Sequence, residues 1–346
     1  VSLIGKEMLK ILGIETSCDE SSVAIVNEDK EILFLKTMSQ TASHLKYGGV
    51  VPEVASRAHL ENLDKILDEL IGSGFDLNEL DAIAVTSCPG LIGALIVGVM
   101  YGKALAASLK KPLLAINHLA GHAVTIRMTN EIEYPFLTLL ISGGNTQFLI
   151  VKDVDQYIKL GETRDDALGE AFDKTARILG LGYPGGPKIE KRARQGDENA
   201  YDFPKPMWDS KDCNLSFSGL KSDITRRINA IKEIEDKDIN NIAASFQRTI
   251  TDLLKKKLSI ALDLFEFHLK QRAKTFVLTG GVSANKYICG KLESFCNEKN
   301  VKFLSPPKEL CGDNAAMIAW TGLERYKKGL LDSLDFPPKP KAELGD

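Results

Sequence analysis

One pattern, met twice, limits what this chain can fold into. Lys10-Ile-Leu-Gly-Ile-Glu-Thr-Ser-Cys-Asp-Glu-Ser-Ser-Val-Ala-Ile-Val26 and Phe136-Leu-Thr-Leu-Leu-Ile-Ser-Gly-Gly-Asn-Thr-Gln-Phe-Leu-Ile-Val151 share one layout. Each reads as an apolar strand, a short turn of small and hydroxyl residues, and a second apolar strand. A hairpin that recurs at this distance implies two lobes of related build. Helical patterns lie between and after the strands. Val54, Ala58, Leu63, Ile66, Leu67 and Leu70 recur at helical spacing and stop at Gly72. A second helix is expected from Asp165 or Asp166 to about 179, with acids in its first turn and Gly180 as its stop. A third covers 242 to about 269. Strands at 82–86, 113–116 and 275–279 alternate with these helices, which is the order of an α/β fold.

The expected division is a first lobe over 1–130 and a second over 131–335, the last helix being free to pack across lobes. Helical insertions fall near 37–70 and 190–270. The final segment, 336–346, rich in proline and charge, reads as a loose tail. A chain of 346 residues suits two domains of ordinary size. Hydrophobic residues at 44% and charged residues at 26% exclude a disordered chain. The six cysteines form no CxxC pair, so neither a disulfide framework nor a cysteine zinc site is indicated. No signal-peptide succession is present, and the apolar run 91–109 is interrupted by Lys103 and glycines; it reads as a buried helix, and the expected location is cytoplasmic. Net charge is −3. The local basic clusters, such as Lys188, Lys191, Arg192 and Arg194, are equally explained as solvated helix faces, so charge alone does not identify an RNA partner.

Three glycine-rich turns carry what a phosphate or nucleotide needs. Ser142-Gly-Gly-Asn-Thr146 follows one strand, Thr279-Gly-Gly-Val-Ser-Ala-Asn285 follows another and opens a helix, and Tyr183-Pro-Gly-Gly-Pro187 follows the helix carrying Asp173. Glycine lets backbone approach a ligand, and amides converging at a helix N-terminus favour an anion. Each turn taken alone is also explained by a need for positive φ. None matches the P-loop or dinucleotide fingerprints. Together they resemble the layout of the actin, sugar kinase and Hsp70 (ASKHA) superfamily.

Two of the five histidines occur in Asn117-His-Leu-Ala-Gly-His122. A separation of four puts both on one helix face, able to grip one ion, and Asn117 suits the N-cap. The alternative is a pair of helix histidines with ordinary polar partners. A metalloprotease places glutamate directly after the first histidine; here that residue is Leu119, so the general base is missing. A carboxylate would complete a two-histidine, one-carboxylate set. Asp313, in Cys311-Gly-Asp-Asn-Ala-Ala-Met-Ile-Ala-Trp320, is one candidate, but spacing does not choose it over other acids.

Assembled in order, these segments resemble the TsaD/Gcp family of tRNA threonylcarbamoyladenosine synthases from about Ile11 to Leu323. The resemblance rests on Gly-Ile-Glu-Thr-Ser-Cys-Asp-Glu (13–20), Pro-Glu-Val-Ala-Ser-Arg-Ala-His (52–59), Asn-His-Leu-Ala-Gly-His (117–122) and Ser-Gly-Gly-Asn-Thr (142–146). It continues through Gly-Glu-Ala-Phe-Asp-Lys (169–174), Tyr-Pro-Gly-Gly-Pro (183–187), Gly-Gly-Val-Ser-Ala-Asn (280–285) and Asp-Asn-Ala-Ala-Met-Ile-Ala (313–319). Lys-Tyr-Gly-Gly-Val-Val-Pro-Glu (46–53) resembles the bacterial and mitochondrial branch. Two positions depart from the pattern: Ala120 stands where an acid is usual, and Gly312 where threonine often precedes the aspartate.

The resemblance implies one divalent metal ion, iron(II) or alternatively zinc, held by His118, His122 and Asp313. It implies substrate contacts from Leu140, Ile141, Ser142, Gly143, Gly144, Asp173, Gly186 and Asn285, with Glu190 near a ribose. The implied reaction moves threonylcarbamoyl from threonylcarbamoyl-AMP to N6 of adenosine 37 in tRNAs reading codons that begin with A. Asp19, in the first hairpin turn, is the candidate for orienting the incoming amine or a metal-bound water; a turn-capping role is its alternative. Implied partners are tRNA, a paralogous ASKHA subunit (TsaB-like) and a small ATPase (TsaE-like), with a homodimer as another assembly and no membrane. The rival activities are a small-molecule kinase or ATPase of the same superfold and a metallopeptidase.

Overall fold

The computed structural model describes residues 8–44, 47 and 49–344. Its strands are β1 (Lys10–Glu15), β2 (Glu20–Asn27), β3 (Ile32–Ser39), β4 (Ala82–Cys88), β5 (Leu113–Asn117), β6 (Phe136–Ile141), β7 (Thr146–Asp153), β8 (Gln156–Glu162), β9 (Thr275–Thr279) and β10 (Lys302–Leu304). Its helices are α1 (Thr41–His44), α2 (Pro52–Gly72), α3 (Ile92–Leu109), α4 (His118–Val124), α5 (Ile126–Thr129), α6 (Leu168–Ile178), α7 (Gly185–Ala193), α8 (Ser218–Ala230), α9 (Asp236–Leu269), α10 (Lys286–Glu298) and α11 (Ala315–Lys327).

Two five-stranded sheets have one order. The first runs β3-β2-β1-β4-β5 and the second β8-β7-β6-β9-β10. In each, the recurring hairpin (β1–β2, β6–β7) is antiparallel, and the first hairpin strand pairs in parallel with a later strand, β4 or β9. Parallel neighbours need a crossover, which α3 supplies between β4 and β5 and α10 between β9 and β10. The repeat seen in the sequence is thus a repeat of topology.

The chain divides into two compact units. One comprises Val1–Glu131, Val154–Gln156 and Asp313–Asp346; the other comprises Ile132–Asp153 and Tyr157–Gly312. The second unit thus ends at Gly312 rather than 335: the last helix, left free to pack across lobes, goes with the first unit, as do the described residues that follow it. The reason is packing. Helix α11 buries Ala315, Met317, Ile318, Ala319, Trp320 and Leu323, and lies against β1, β2 and β4. Gly13 permits it, because a Cβ there would lie 2.3 Å from the Ala315 carbonyl oxygen and 2.6 Å from the Ala319 nitrogen.

Other expectations shift in smaller ways. The insertion near 37–70 begins in strand β3 and becomes helical only at α1 and α2. Helix α6 starts at Leu168, because Asp165 turns away to accept hydrogen bonds from Phe217 N, Ser216 Oγ and Ser218 Oγ. Helix α9 starts earlier than expected, at Asp236, where Glu235 and Asp238 form a reciprocal capping box. Helix α3 is not wholly buried: Leu95, Val99 and Ala106 face inward, but Ile92, Ile96 and Met100 are 46%, 46% and 58% exposed. It is the helix that among the described residues is long and apolar enough to cross a membrane. All six cysteines are free thiols, and burial pushes Cys213, Cys289 and Cys296 up to about 12.

The close approach at Gly13 is testable. Gly13→Ala should destabilise the protein by about 3 kcal/mol, since neither backbone group it would strike can move without displacing α11. Urea unfolding of the purified variant measures this; an unchanged midpoint contradicts the packing described.

Candidate metal centre and nucleotide cavity

In the first unit the chain leaves β5 at Asn117 and turns directly into α4. Asn117 caps the helix, its side-chain oxygen accepting from Leu119 N and Ala120 N. His118 and His122 then project from one face, their ring centroids 4.7 Å apart and perpendicular. Asp313, in the loop just before α11, places Oδ1 3.1 Å from His122 Nε2 and 3.5 Å from His118 Nε2. One ligand atom from each of the three lies within 4.8 Å of the others. His118 and His122 are buried, and Asp313 keeps a quarter of its side chain exposed. All three belong to one unit, so Asp313, expected in the second lobe, lies with the histidines.

A fourth residue completes the arrangement. Glu15, the last residue of β1, is fully buried, and its Oε2 lies 3.0 Å from His118 Nδ1. Ser17 Oγ lies 3.1 Å from the same nitrogen. Glu15 is itself held by Ser17 N and Thr86 Oγ1. The Glu15 carboxylate can only accept, so Nδ1 carries the proton, and Nε2 is turned toward Asp313 with its lone pair when the ring is neutral. Two imidazoles, one carboxylate and an outer carboxylate fixing the tautomer fit a divalent transition metal. Glu15 stands inside a motif quoted for the resemblance, yet no role was assigned to it. The available signal was an acid at the carboxyl end of an apolar strand, where α/β sheets place ligands.

Burial disfavours the imidazolium of His118, but the Glu15 and Asp313 carboxylates outweigh it and hold its pKa well above 6.5. Burial likewise raises Glu15 and Asp313, and the His118 charge overcomes this, holding both below the usual carboxylate range. Glu20 goes the other way: burial, then Asp19 and Asp313, push it up to about 7 against a hydrogen bond from Ser39 Oγ. Asp19 lies on the same turn, its carbonyl accepting from Gln40 N at 2.9 Å.

In the second unit a cavity of about 290 Å³ is lined by Gly143, Asp173, Gly186, Glu190, Gly281 and Asn285, together with Phe172 and Lys308. The three glycine-rich turns thus meet at one place. Asp173 accepts from Gly185 N at 2.7 Å, and burial raises its carboxyl. Asn285 caps α10 through Ile288 N and donates to Gln247 Oε1 at 2.9 Å. Glu190 accepts from Arg194 Nη2 and Lys286 N. Gly280 has φ +88° and no room for a Cβ, which would lie 2.4 Å from the Ile141 carbonyl oxygen. Gly143, Gly186 and Gly281 differ: their φ is ordinary and a Cβ on any of them would meet nothing within 4 Å. Leu140 and Ile141 are buried within β6 and do not line the cavity; Ser142 turns its Oγ to Asn145 N, and Gly144 lies on the same turn outside the lining. Phe172 and Lys308 were not foreseen. Lys46 and Gly48 of the 46–53 motif lie outside the described residues.

The model of the TsaD family, tRNA N6-adenosine threonylcarbamoyltransferase, matches residues 31–320. A tRNA N6-adenosine threonylcarbamoyltransferase of Rickettsia bellii (strain OSU 85-389) is 51% identical over 338 residues, covering 97% of this chain and 99% of the relative. That of Rickettsia massiliae (strain Mtu5) is 50% identical over 341 residues, covering 98% and 99%. Among solved structures, T. kodakarensis HypF aligns with a TM-score of 0.60 at 14% identity, over 95% of this chain and 49% of that one. The Acidaminococcus fermentans (R)-2-hydroxyglutaryl-CoA dehydratase component A aligns with a TM-score of 0.53 at 16% identity, over 92% and 98%. At such identities the likeness is one of fold: the two repeated sheets are the ASKHA-type α/β architecture.

The titration of His118 gives the metal site a measurable signature. Its raised pKa stabilises the metal-free protein fully below about 6.5, and that contribution is lost as pH rises through the elevated value. Ligation requires that proton to leave, so stabilisation by metal grows over the same window. Thermal unfolding with and without zinc should show a larger metal-induced rise in Tm at about pH 9 than at about pH 6. Glu15→Gln, which removes one carboxylate holding the proton, should narrow the difference; equal rises at both pH values contradict the assignment.

Proposed function

The chain belongs to the TsaD family of tRNA N6-adenosine threonylcarbamoyltransferases, and on that premise we propose that it transfers threonylcarbamoyl from threonylcarbamoyl-AMP to N6 of adenosine 37, in tRNAs reading codons that begin with A. The observation that carries the proposal is the convergence of His118, His122 and Asp313, a donor set suited to iron(II) or zinc. A divalent ion held there would supply a Lewis acid for phosphate or carbonyl oxygens of the donor.

The chain's own groups account for the remaining tasks. Gly143, Gly186 and Gly281 need glycine neither for φ nor for a neighbouring atom, so their bare backbone suits the close approach of a bound nucleotide. Amides at Gly143 and the 280–285 turn would hold adenylate oxygens, with Gly144 shaping the first of these turns, Asp173 and Glu190 would accept from ribose hydroxyls, and Lys308 adds a positive charge to the lining. Leu140, Ile141 and Ser142 would act by holding that turn in place. Asn285 would fix the cavity wall through its cap.

In the transfer the N6 amine attacks the carbamoyl carbon. A C–N bond forms, the C–O bond to phosphate breaks, AMP departs with the electron pair, and the amine gives up a proton. Asp19 would orient the amine, and the proton it releases passes to water. No covalent intermediate on the enzyme is needed; catalysis rests on positioning and on stabilising charge. A peptidase reading gains nothing from the site, since the carboxylate beside His118, Glu15, bonds Nδ1 on the side away from Asp313.

The proposal extends to partners. Ile92, Ile96 and Met100 form an exposed apolar stripe along α3, suited to a paralogous TsaB-like subunit or a second copy of the chain, with a TsaE-like ATPase acting on the assembly and the whole working in the cytoplasm. Met100→Glu should weaken that association at least tenfold in analytical ultracentrifugation with the TsaB-like partner; unchanged association excludes this face.

The activity is tested by supplying purified protein with threonylcarbamoyl-AMP, unmodified tRNA and the partners, then analysing nucleosides by mass spectrometry. Wild type should form the modified adenosine, and His118→Ala and Asp313→Ala should lose it at least a hundredfold while keeping a folded circular dichroism spectrum. Full turnover by either variant, stripped of metal, refutes the metal's role.

A further inference from the structure

The final segment, expected to be loose, is attached to the first unit at several points between Phe336 and Leu344. Asp332 bonds across to β5, its N–H to the Leu113 carbonyl and its carboxylate accepting from Ala115 N. Phe336 packs against the core of that unit, and its carbonyl accepts from Lys103 Nζ at 2.6 Å. Lys339 N donates to the Ser87 carbonyl at 2.9 Å, and the Pro340 carbonyl accepts from Gly90 N at 3.2 Å. The Glu343 carbonyl accepts from Asn117 Nδ2 at 3.3 Å, and Leu344 is buried.

Two of the points of attachment lead to the metal centre. Asn117 is the cap of α4. Its oxygen bonds the helix and its nitrogen bonds Glu343, so the orientation of the amide is fixed from both ends. The 87–91 turn is the second route. Leu91 N donates to the Ser17 carbonyl at 2.8 Å, a Cβ on Gly90 would strike that same carbonyl oxygen at 2.6 Å, and Ser17 Oγ reaches His118 Nδ1. Prolines at 337, 338 and 340 explain how so short a segment stays in place: their fixed φ reduces the entropy lost on docking. The composition that suggested looseness thus favours order.

We propose that residues 336–344 are a positioning strap for the metal centre, holding the cap of α4 from one side and the turn beneath His118 from the other. The proposal deepens the metal reading and rests on it. Its role is to keep the ligands in register before an ion arrives, so its loss should weaken metal binding while the cores remain intact.

Two variants test it. A chain ending at Asp335 removes the strap. Asn117→Asp keeps a capping oxygen but removes the donor to Glu343 and puts a carboxylate against its carbonyl. Zinc affinity is measured by chelator competition, and amide exchange by NMR or mass spectrometry without metal. Both variants should bind zinc about tenfold or more weakly, and both should exchange faster at 119–124 and at Gly90. Adding a synthetic 336–346 peptide to the shortened chain should restore part of the affinity. Wild-type affinity together with unchanged exchange at 119–124 in either variant overturns the strap. If the shortened chain does not fold, Asn117→Asp decides. If the full-length protein binds no zinc or iron(II), the metal reading fails, and exchange at 119–124 in the metal-free protein judges the strap separately.

Discussion

His118 stands between two carboxylates, Glu15 at 3.0 Å from Nδ1 and Asp313 at 3.5 Å from Nε2, almost wholly out of water. A buried pair of anions is tolerable only with a cation to share, either a proton on the imidazole or a metal at its far nitrogen. Much of the first unit serves that requirement. β1 delivers Glu15 at its end, β5 delivers Asn117 and through it α4, and the packing of α11 on Gly13 delivers Asp313. Glu15 and the two histidines sit on a strand end and a helix, and Asp313 on the short turn that α11 anchors, so the four groups are held by the packed elements around them.

The second unit solves a different problem with the same topology. Its sheet ends in turns that carry backbone instead of ligating side chains, and the three glycine-rich motifs converge on one cavity. Where the first unit gathers two histidines and two carboxylates in a largely buried cluster, the second offers amides, two acids and bare glycines. A repeated fold has thus been given two chemistries by the residues at its strand ends, which is where α/β sheets put their sites.

How much of this was legible in the sequence depended on range. The hairpins, the capping role of Asn117 and the strands at β4, β5 and β9 follow from local pattern, and the structure has them. Asp313 was not selectable by spacing, because 191 residues separate it from His122 and only resemblance joined them. Glu15 was passed over because one acid at a strand end resembles the start of any turn. The final segment was misread for a physical reason: proline and charge mark chains that cannot form a core, but Phe336 and Leu344 anchor this one to a core already made. Asp165, expected with Asp166 at the start of a helix, bonds instead to 216–218, an instance of tertiary contacts overriding helix-end preference.

Crystals of the protein prepared with iron(II) or zinc, with diffraction recorded at the metal's absorption edge, address the central claim most directly. The account predicts one anomalous peak in the first unit, about 2.0–2.2 Å from His118 Nε2, His122 Nε2 and a carboxylate oxygen of Asp313, with Glu15 still on His118 Nδ1. A well-loaded crystal with no peak among those three side chains, or with the ion at Nδ1 in place of Glu15, would contradict it.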